Sequence, residues 1–523
     1  MSNQEHWGSN FGFIMAAAGS AVGLGNIWKF PYMVGMNGGG AFVLIYIVSI
    51  CLVGLPVMLA EFSLGRASQS DPIGAFKYFS LKSSVFPKIL AGYGAGLGTA
   101  LIFFGHVGLG VIVLLAALFF FKFSWAQTGF LCVLGAGVIL SAYAIIGGWI
   151  IYYTYLAFTR ELVSTDPNVV ATQFATLAKN GWLCAGMGIL FLCLCCGVCI
   201  MGVKKGIEAI SKVIMPLLLL LLLVLVIRAL TLPGAGKGVS FYLAPDFGKI
   251  RTGGVLEALG HAFYSLSLGM AILITYGSYL PRNKNLLSSV CIIALLDTLV
   301  ALLAGLAIFP AVFAMNMSPA QGPSLIFQVL PVTFNTIPGN LGFLWNGIFF
   351  LLLFIGAFTS GISLMEAVSS SFIHQLKFKR SSAVITVTVL TATLTFILSF
   401  GIISWENFRW LETVLKVILG NIKGSLFDEV DYICSSWILP LNGLAIALFT
   451  GWIWGVRKAA RELYRTKDGK MLESFTALEN TRKFLGLKIP VTVWSFFIRY
   501  IAPALVLITF LYAAGFFSRF LNK

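Results

Sequence analysis

The sequence predicts an all-α polytopic membrane protein, and three observations carry that prediction. Of the 523 residues, 59% are hydrophobic and only 10% are charged, too little polar surface to cover a water-soluble fold of this length. Apolar stretches long enough to cross a hydrocarbon core of about 30 Å as helices recur along the chain. These stretches are apolar on every side, as in Leu217–Ile227, whereas a membrane barrel would show segments of about 10 residues with alternating polarity.

Eleven spans follow in order. The first, 11–35, is rich in glycine, and the second, 41–64, carries Glu61 within an apolar run. The third is 131–158, the fourth, 182–202, holds Cys193, Cys195, Cys196 and Cys199, and the fifth, 207–230, contains the leucine run. The sixth, 254–280, is polar at mid-span, and the seventh, 286–313, contains Asp297. The eighth, ninth, tenth and eleventh are 345–373, 382–400, 427–455 and 490–516. Residues 89–123 form a further apolar stretch broken at Gly105-His106. A single crossing there would invert everything downstream, so two short crossings or a hairpin are needed, and seven glycines between Gly92 and Gly110 favour a tightly packed hairpin.

A formal net charge of +16 would point to nucleic acid in a soluble protein. Here the cations sit in short loops between spans, and the positive-inside rule accounts for them with no nucleic-acid partner. With the N-terminus in the cytoplasm, the inner loops hold Arg66, Lys77, Lys82 and Lys88; Lys204 and Lys205; Arg282 and Lys284; Lys377, Lys379 and Arg380; and a run from Arg457 to Lys488. The outer loop 314–344 has no Lys or Arg, although Arg228, Lys237, Arg251 and Arg409 fall in other outer loops. The first ten residues lack a basic region and a small-residue cleavage site, so the first helix is expected to be retained and the chain to reside in the inner, cytoplasmic membrane. The nine cysteines lie almost wholly inside apolar segments and imply no disulfide framework. The four in the fourth span are dispersed around a helix, which suits packing better than a metal cluster.

A helix that binds ions at membrane depth must interrupt its own hydrogen bonding, because its carbonyls and amides are otherwise consumed. The first span reads Gly19-Ser20-Ala21-Val22-Gly23-Leu24-Gly25-Asn26, and the sixth reads Gly260-His261-Ala262-Phe263-Tyr264-Ser265-Leu266-Ser267-Leu268-Gly269. Two broken helices five spans apart suggest two five-helix repeats of inverted topology with a site between them. The other reading is that these glycines are close helix-packing contacts.

Beyond spacing, the run GSAVGLGNIWKFPYMVGMNGGGAF, with GLPVMLAEFSLGR (54–66), SAYAIIGGW (141–149), KKGIEAISKVIMP (204–216), AFYSLSLGMAILITYGSYL (262–280), GAFTSGISLMEA (356–367) and FDEVDY (427–432), resembles the neurotransmitter:sodium symporter family, in its bacterial amino-acid branch that includes the leucine transporter. The resemblance covers nearly the whole chain except 89–123. It implies one transporter domain over 1–523, made of an inverted five-plus-five repeat (11–230, with the hydrophobic insertion, and 254–455) plus an eleventh helix, and implies sodium-coupled carriage of an amino acid.

The same resemblance implies the site. One sodium ion would be held by the Ala21 carbonyl, Asn26, Ser265, Asp297 and the substrate carboxylate; a second by the carbonyls of Gly19, Val22 and Gly356 and the hydroxyls of Thr359 and Ser360. Hydroxyls inside membrane helices also commonly bond their own backbone one turn earlier. The substrate carboxylate would meet amides around Leu24 and Gly25 and the Tyr143 hydroxyl, and Ala21, Gly23, Ser265 and Ser360 would also face the substrate. Its side chain would point to Ile139, Tyr264, Ser267, Met270 and Leu364, a mostly apolar pocket that predicts a neutral, hydrophobic amino acid. Monoamine-carrying relatives place an aspartate where this chain has Gly23, so Gly23 argues for a substrate that brings its own carboxylate. Glu61 would support the broken sixth helix as a structural group, and Lys29 with Asp431 would form an outer gate.

Three positions depart from the family pattern. The inner gate's ion-pair positions are Gln4 and His374, which cannot pair when the histidine is neutral; His374 would then be a pH-sensitive closing group or simply a loop-end histidine. Asp297 stands where many relatives have an asparagine, and Ala301 where chloride-independent relatives carry a glutamate, so Asp297 is expected to supply the negative charge that makes chloride unnecessary. A membrane enzyme is disfavoured, since the chain has no Gly-x-Ser-x-Gly, His-Glu-x-x-His or phosphate-loop motif. A channel would be expected to show a repeated pore loop or a ring of charges.

Overall fold

The computed structural model describes residues 5–80, 124–251, 253–314, 325–336, 341–402, 425–463 and 491–513, with a few isolated residues and short pieces between them. All eleven expected spans are helical. Nine are long and apolar enough to cross a membrane unbroken: Gly40–Ser68, Ala126–Phe158, Gly181–Ile200, Val203–Leu230, Leu286–Ala314, Gly342–Gln375, Arg380–Ser399, Leu426–Leu463 and Val491–Tyr512. The first span is two helices, Asn10–Ala21 and Gly25–Met36, bent by 46° at their junction. The sixth is likewise split into Gly254–Ser265 and Ile272–Ser278. Lys483–Phe484 and Leu487–Lys488 form a minimal antiparallel pair.

Helix ends follow local chemistry. Ser9 caps the first span by accepting from the Gly12 amide at 2.9 Å, and Asn180 caps the fourth through Leu183 at 3.0 Å. Ser425 and Asp428 form a reciprocal capping box at the start of the tenth, which satisfies two otherwise unpaired amides. The tenth span runs to Leu463, past the expected 455, because its last turn is anchored from afar. Glu462 there is fully buried and pairs with the equally buried Arg66 of the second span, Nε to Oε1 at 2.8 Å. Arg66 also donates to the Glu462 carbonyl and, at 2.8 Å, to that of Lys284. A buried ion pair whose remaining donors are satisfied in this way fixes geometry more than it adds stability.

The third and eighth spans form the buried centre. A Cβ on Gly148 would lie 2.6 Å from the Gly188 nitrogen, so the third and fourth spans meet backbone to backbone, as small residues permit in membranes. The apolar segment 89–123 lies outside the described residues. On one side of it Phe76 packs on Phe449 and Phe79 on Trp454, and on the other Trp125 packs on Phe449, so its two flanks sit at the same end of the bundle. At the opposite end, Pro167–Lys179 and Ile326–Asn335 lie over the spans, joined by the stacked rings of Phe174 and Phe327 at 5.2 Å.

Candidate functional site

The two breaks face each other. In the first span Val22 takes an extended conformation, after which Gly23 offers its carbonyl to the amides of Asn26 and Ile27 at 3.2 and 3.3 Å. The Asn26 side-chain oxygen accepts from the Gly23 amide at 3.2 Å, and the Leu24 amide donates to Tyr143 Oη at 3.4 Å. These residues occupy close quarters: a Cβ on Gly23 would run into Ser360 Oγ and come within 3.1 Å of Tyr143 Oη.

The sixth span breaks over 266–271. Ser267, Gly269 and Ala271 all have left-handed backbone, with φ of 55°, 72° and 65°, a conformation unfavourable for serine and alanine. Two side chains from distant parts of the chain hold it. Glu61 accepts from the Gly269 amide at 2.8 Å, and Asn442 of the tenth span donates to the Gly269 carbonyl at 2.9 Å. Glu61 thus contacts the broken sixth helix, while its Oε2 has no hydrogen-bond partner among the described residues.

Between the breaks lies a cavity of about 30 Å³ lined by Ser20, Ala21, Gly23, Leu24, Gly25, Ile139, Tyr143, Tyr264, Ser267, Met270, Ile272, Ser360 and Leu364. Every residue expected to face the substrate is there except Ser265, and Ser20 and Ile272 join them. Ser265 instead belongs to a polar cluster beside the cavity. Asn26 Nδ2 donates to Asp297 Oδ1 at 2.7 Å and to its carbonyl at 3.0 Å, and Ser265 Oγ donates to Asp297 Oδ2 at 2.8 Å. Tyr46 Oη lies 2.8 Å from Ser265 Oγ and donates to Asp297 Oδ2 at 3.5 Å. The structure therefore gathers Asn26, Ser265 and Asp297 and adds Tyr46, which nothing in its apolar stretch of sequence signals. Asn26 turns its amide nitrogen, and not its oxygen, towards Asp297.

The second expected oxygen set is brought together only in part. Ser360 Oγ donates to the Ser20 carbonyl at 3.1 Å and the Gly19 carbonyl at 3.4 Å, so it crosses from the eighth span to the first. Thr359 Oγ1 bonds the carbonyls of Ile355 and Gly356 in its own helix, both at 3.1 Å. Gly356 lies against the break, where a Cβ would come 3.7 Å from Gly23 Cα, and Val22 sits at the break itself.

Tyr264 lines the small cavity and also a larger one of about 570 Å³ beyond it, whose walls include Trp28, Lys29, Trp149, Phe327, Phe427 and Asp431. Lys29 Nζ lies 4.3 Å from the centre of the Tyr264 ring and 3.6 Å from Asp431 Oδ2. The cation and ring attract each other, so the expected gate pair also presses on the ring that separates the two cavities. At the opposite end His374 Nδ1 bonds the Ser370 carbonyl of its own helix at 2.8 Å, and Gln4 lies outside the described residues. Cys195 and Cys199 are buried whereas Cys193 is exposed, so the fourth-span cysteines do not converge on one point.

The model of the sodium:neurotransmitter symporter family matches residues 4–128 and 168–417. The chain is 34% identical to an uncharacterized sodium-dependent transporter, YhdH, of Bacillus subtilis strain 168, over 99% of this chain and 100% of that protein. It is 30% identical to an uncharacterized sodium-dependent transporter of Haemophilus influenzae, over 97% of this chain and 98% of that one. Among solved structures, the crystal structure of MhsT in complex with L-phenylalanine matches with a TM-score of 0.76 at 36% identity, covering 98% of this chain and all of that one. The almost wholly helical architecture of the described residues, with broken first and sixth spans, is thus the leucine-transporter-like fold that the sequence predicts.

Proposed function

Since the chain belongs to the sodium:neurotransmitter symporter family, whose members are sodium-coupled transporters and not enzymes, we propose that it carries a neutral, hydrophobic amino acid into the cell with sodium, by alternating access across the cytoplasmic membrane. The observation that carries this reading is the first-span break, where the Gly23–Gly25 backbone and Tyr143 Oη face a cavity whose wall also includes the apolar side chains of Ile139, Met270, Ile272 and Leu364. Backbone amides released from a helix attract an anion, the apolar part of the wall accepts a side chain, and glycine at position 23 supplies no acidic group. The anion must then arrive with the substrate. Phenylalanine, present in the MhsT complex, has the required chemistry.

In this reading Ala21, Asn26, Ser265 and Asp297 bind one sodium ion with the substrate carboxylate, and Gly19, Val22, Gly356, Thr359 and Ser360 bind a second. Oxygen-only shells suit a hard cation. The first set makes ion and substrate binding mutually dependent; the second ties the broken first span to the eighth. Asn26 rotates its amide so that the oxygen faces the ion. Asp297 provides the negative charge, so chloride is not required. Tyr264 covers the bound substrate, held down by Lys29 and Asp431 on the outer side, and the N-terminus lies in the cytoplasm. Residues 11–230 and 254–455 are the two inverted repeats, which rock about the site, and 490–516 is the additional helix.

The test is uptake of a panel of radiolabelled amino acids by proteoliposomes under an inward sodium gradient, repeated with potassium. Sodium-dependent accumulation of an apolar amino acid is expected; accumulation driven equally well by a proton gradient with no sodium would overturn the sodium assignment.

A further inference from the structure

We infer that Arg499 of the eleventh span, with Gly451 and Trp452 of the tenth, forms a lipid-facing subsite that takes the phosphate of an anionic phospholipid. The subsite lies outside the substrate cavity and both proposed sodium sets, and it stands whether or not the transport reading holds.

Arg499 is the one charged residue of Val491–Tyr512, a helix otherwise apolar enough to cross a membrane. A charge in such a helix is costly unless it finds a partner or reaches the interface. Inside the protein it finds only half of what it needs. Its Nε donates to the Gly451 carbonyl at 3.0 Å, and Trp452 Nε1 returns a bond to the Arg499 carbonyl at 3.4 Å. The close approach uses the missing side chain of Gly451, since a Cβ there would come 3.2 Å from Arg499 Cγ. Both helices widen into π-type turns at this contact, over Phe449–Gly455 and Phe497–Ile501, a feature that recurs at functional sites. The guanidinium carbon lies 5.5 Å from the centre of the Trp452 ring, close enough for cation and ring to attract. Among the described residues no carboxylate pairs with Arg499 and its two terminal nitrogens have no hydrogen-bond partner. One edge of the guanidinium is used by the protein and the other is left for a ligand.

The surroundings say what that ligand is. Trp452 and Tyr500 are 52% and 50% exposed, with their rings 5.7 Å apart and nearly perpendicular. Exposed Trp and Tyr on membrane helices sit at headgroup level. Gly451 precedes Arg457, the first of the cations Arg457, Lys458 and Arg461 at this end of the tenth span, by about 9 Å along a helix axis. An arginine bridges such a gap by laying its stem along apolar surface and turning its head to the interface. There the group of opposite charge is the lipid phosphate. A planar fork meets two phosphate oxygens with parallel bonds, and basic pockets between membrane helices take anionic headgroups in this way.

The experiment compares lipid binding by native mass spectrometry, and thermal unfolding, of the full-length protein after delipidation in detergent. Phosphatidylglycerol, phosphatidylcholine with the same chains, and inorganic phosphate are the three probes. Wild type should bind phosphatidylglycerol at least about tenfold more tightly than phosphatidylcholine, and its unfolding midpoint should rise as phosphatidylglycerol is added. Arg499→Gln places an amide nitrogen where Nε stands, so the bond to Gly451 is kept while the fork is lost. That variant should match wild type in lipid-free detergent and bind phosphatidylglycerol about tenfold more weakly. Where Arg499→Gln fails to fold, Arg499→Lys carries the test and should bind about threefold more weakly, having charge without a fork. Lys205→Gln, the same charge change at an exposed position of the fifth span, should behave as wild type. Equal phosphatidylglycerol binding by wild type and the folded Arg499 variant would overturn the subsite. So would a wild-type midpoint that ignores phosphatidylglycerol, as when an acid of this chain or of a second copy fills the fork, or one that inorganic phosphate alone raises as far.

Discussion

Replacing Asp297 by asparagine removes one negative charge from the polar cluster beside the cavity while nearly preserving its shape. The carboxylate is fully buried and accepts from Asn26, Ser265 and Tyr46 at 2.7, 2.8 and 3.5 Å. All three donors are neutral, and no lysine or arginine pairs with it among the described residues. A buried carboxylate without a cation is expensive to ionise, and the sodium ion proposed here would be its partner. At an effective dielectric of about 20, unit charges about 4 Å apart attract by about 4 kcal/mol. An asparagine oxygen still coordinates sodium as a dipole and avoids the desolvation of a charge. If about half the attraction is lost, the change is about 2 kcal/mol, or about 30-fold in sodium affinity. The assay is sodium titration of amino-acid uptake in proteoliposomes, with chloride or gluconate as the anion. Wild type should be indifferent to the anion. Asp297→Asn should need at least about tenfold more sodium for half-maximal uptake, and chloride should restore part of the loss by supplying the missing charge. An unchanged sodium requirement in the variant, or chloride stimulation of wild type, would refute the assignment of the charge to Asp297.

Three further substitutions probe the same site. Tyr143→Phe deletes the hydroxyl that accepts from the Leu24 amide and that the substrate carboxylate would meet; a hydrogen bond to a charged group contributes about 1.5–3 kcal/mol, so the substrate concentration for half-maximal uptake should rise at least about tenfold with the sodium requirement less affected. Glu61→Leu leaves the Gly269 amide without its acceptor, costing about 1–3 kcal/mol, and should lower the thermal unfolding midpoint of the detergent-solubilised protein even without ligands. Gly23→Asp puts a side chain against Ser360 Oγ and Tyr143 Oη and a second carboxylate where the substrate's would bind, so binding of labelled amino acid should fall below detection while the protein elutes as a monodisperse peak.

The fold was legible because membrane helices declare themselves by composition: the eleven expected stretches are helical, the first and sixth each as two helices, with ends within a few residues except where a long-range contact extends one, as Arg66 does for Glu462. The first-span break was legible too, since Gly19, Gly23 and Gly25 cluster where it occurs. The sixth-span break was legible only in part. Gly269 lies in it, but Gly260 remains helical, and the left-handed turns at Ser267 and Ala271 use residue types that give no signal. Gly269 between them is held by Glu61 and Asn442, 208 and 173 residues away from it. Tyr46 and Ile272 were missed for the same reason, since an aromatic or aliphatic residue in an apolar stretch looks alike whether it packs or lines a site. Most of the expected site residues came from a motif resemblance, because local pattern alone could not choose between binding glycines and packing glycines.

The measurement that bears most directly on the central claim, that substrate carboxylate and sodium complete one another's site, is equilibrium binding of labelled L-phenylalanine or another apolar amino acid to the purified protein across a sodium titration. Saturating sodium should tighten amino-acid binding at least about tenfold, and saturating amino acid should tighten sodium binding by the same factor, since linkage is reciprocal. Amino-acid binding that is equally tight in potassium and in sodium would contradict it.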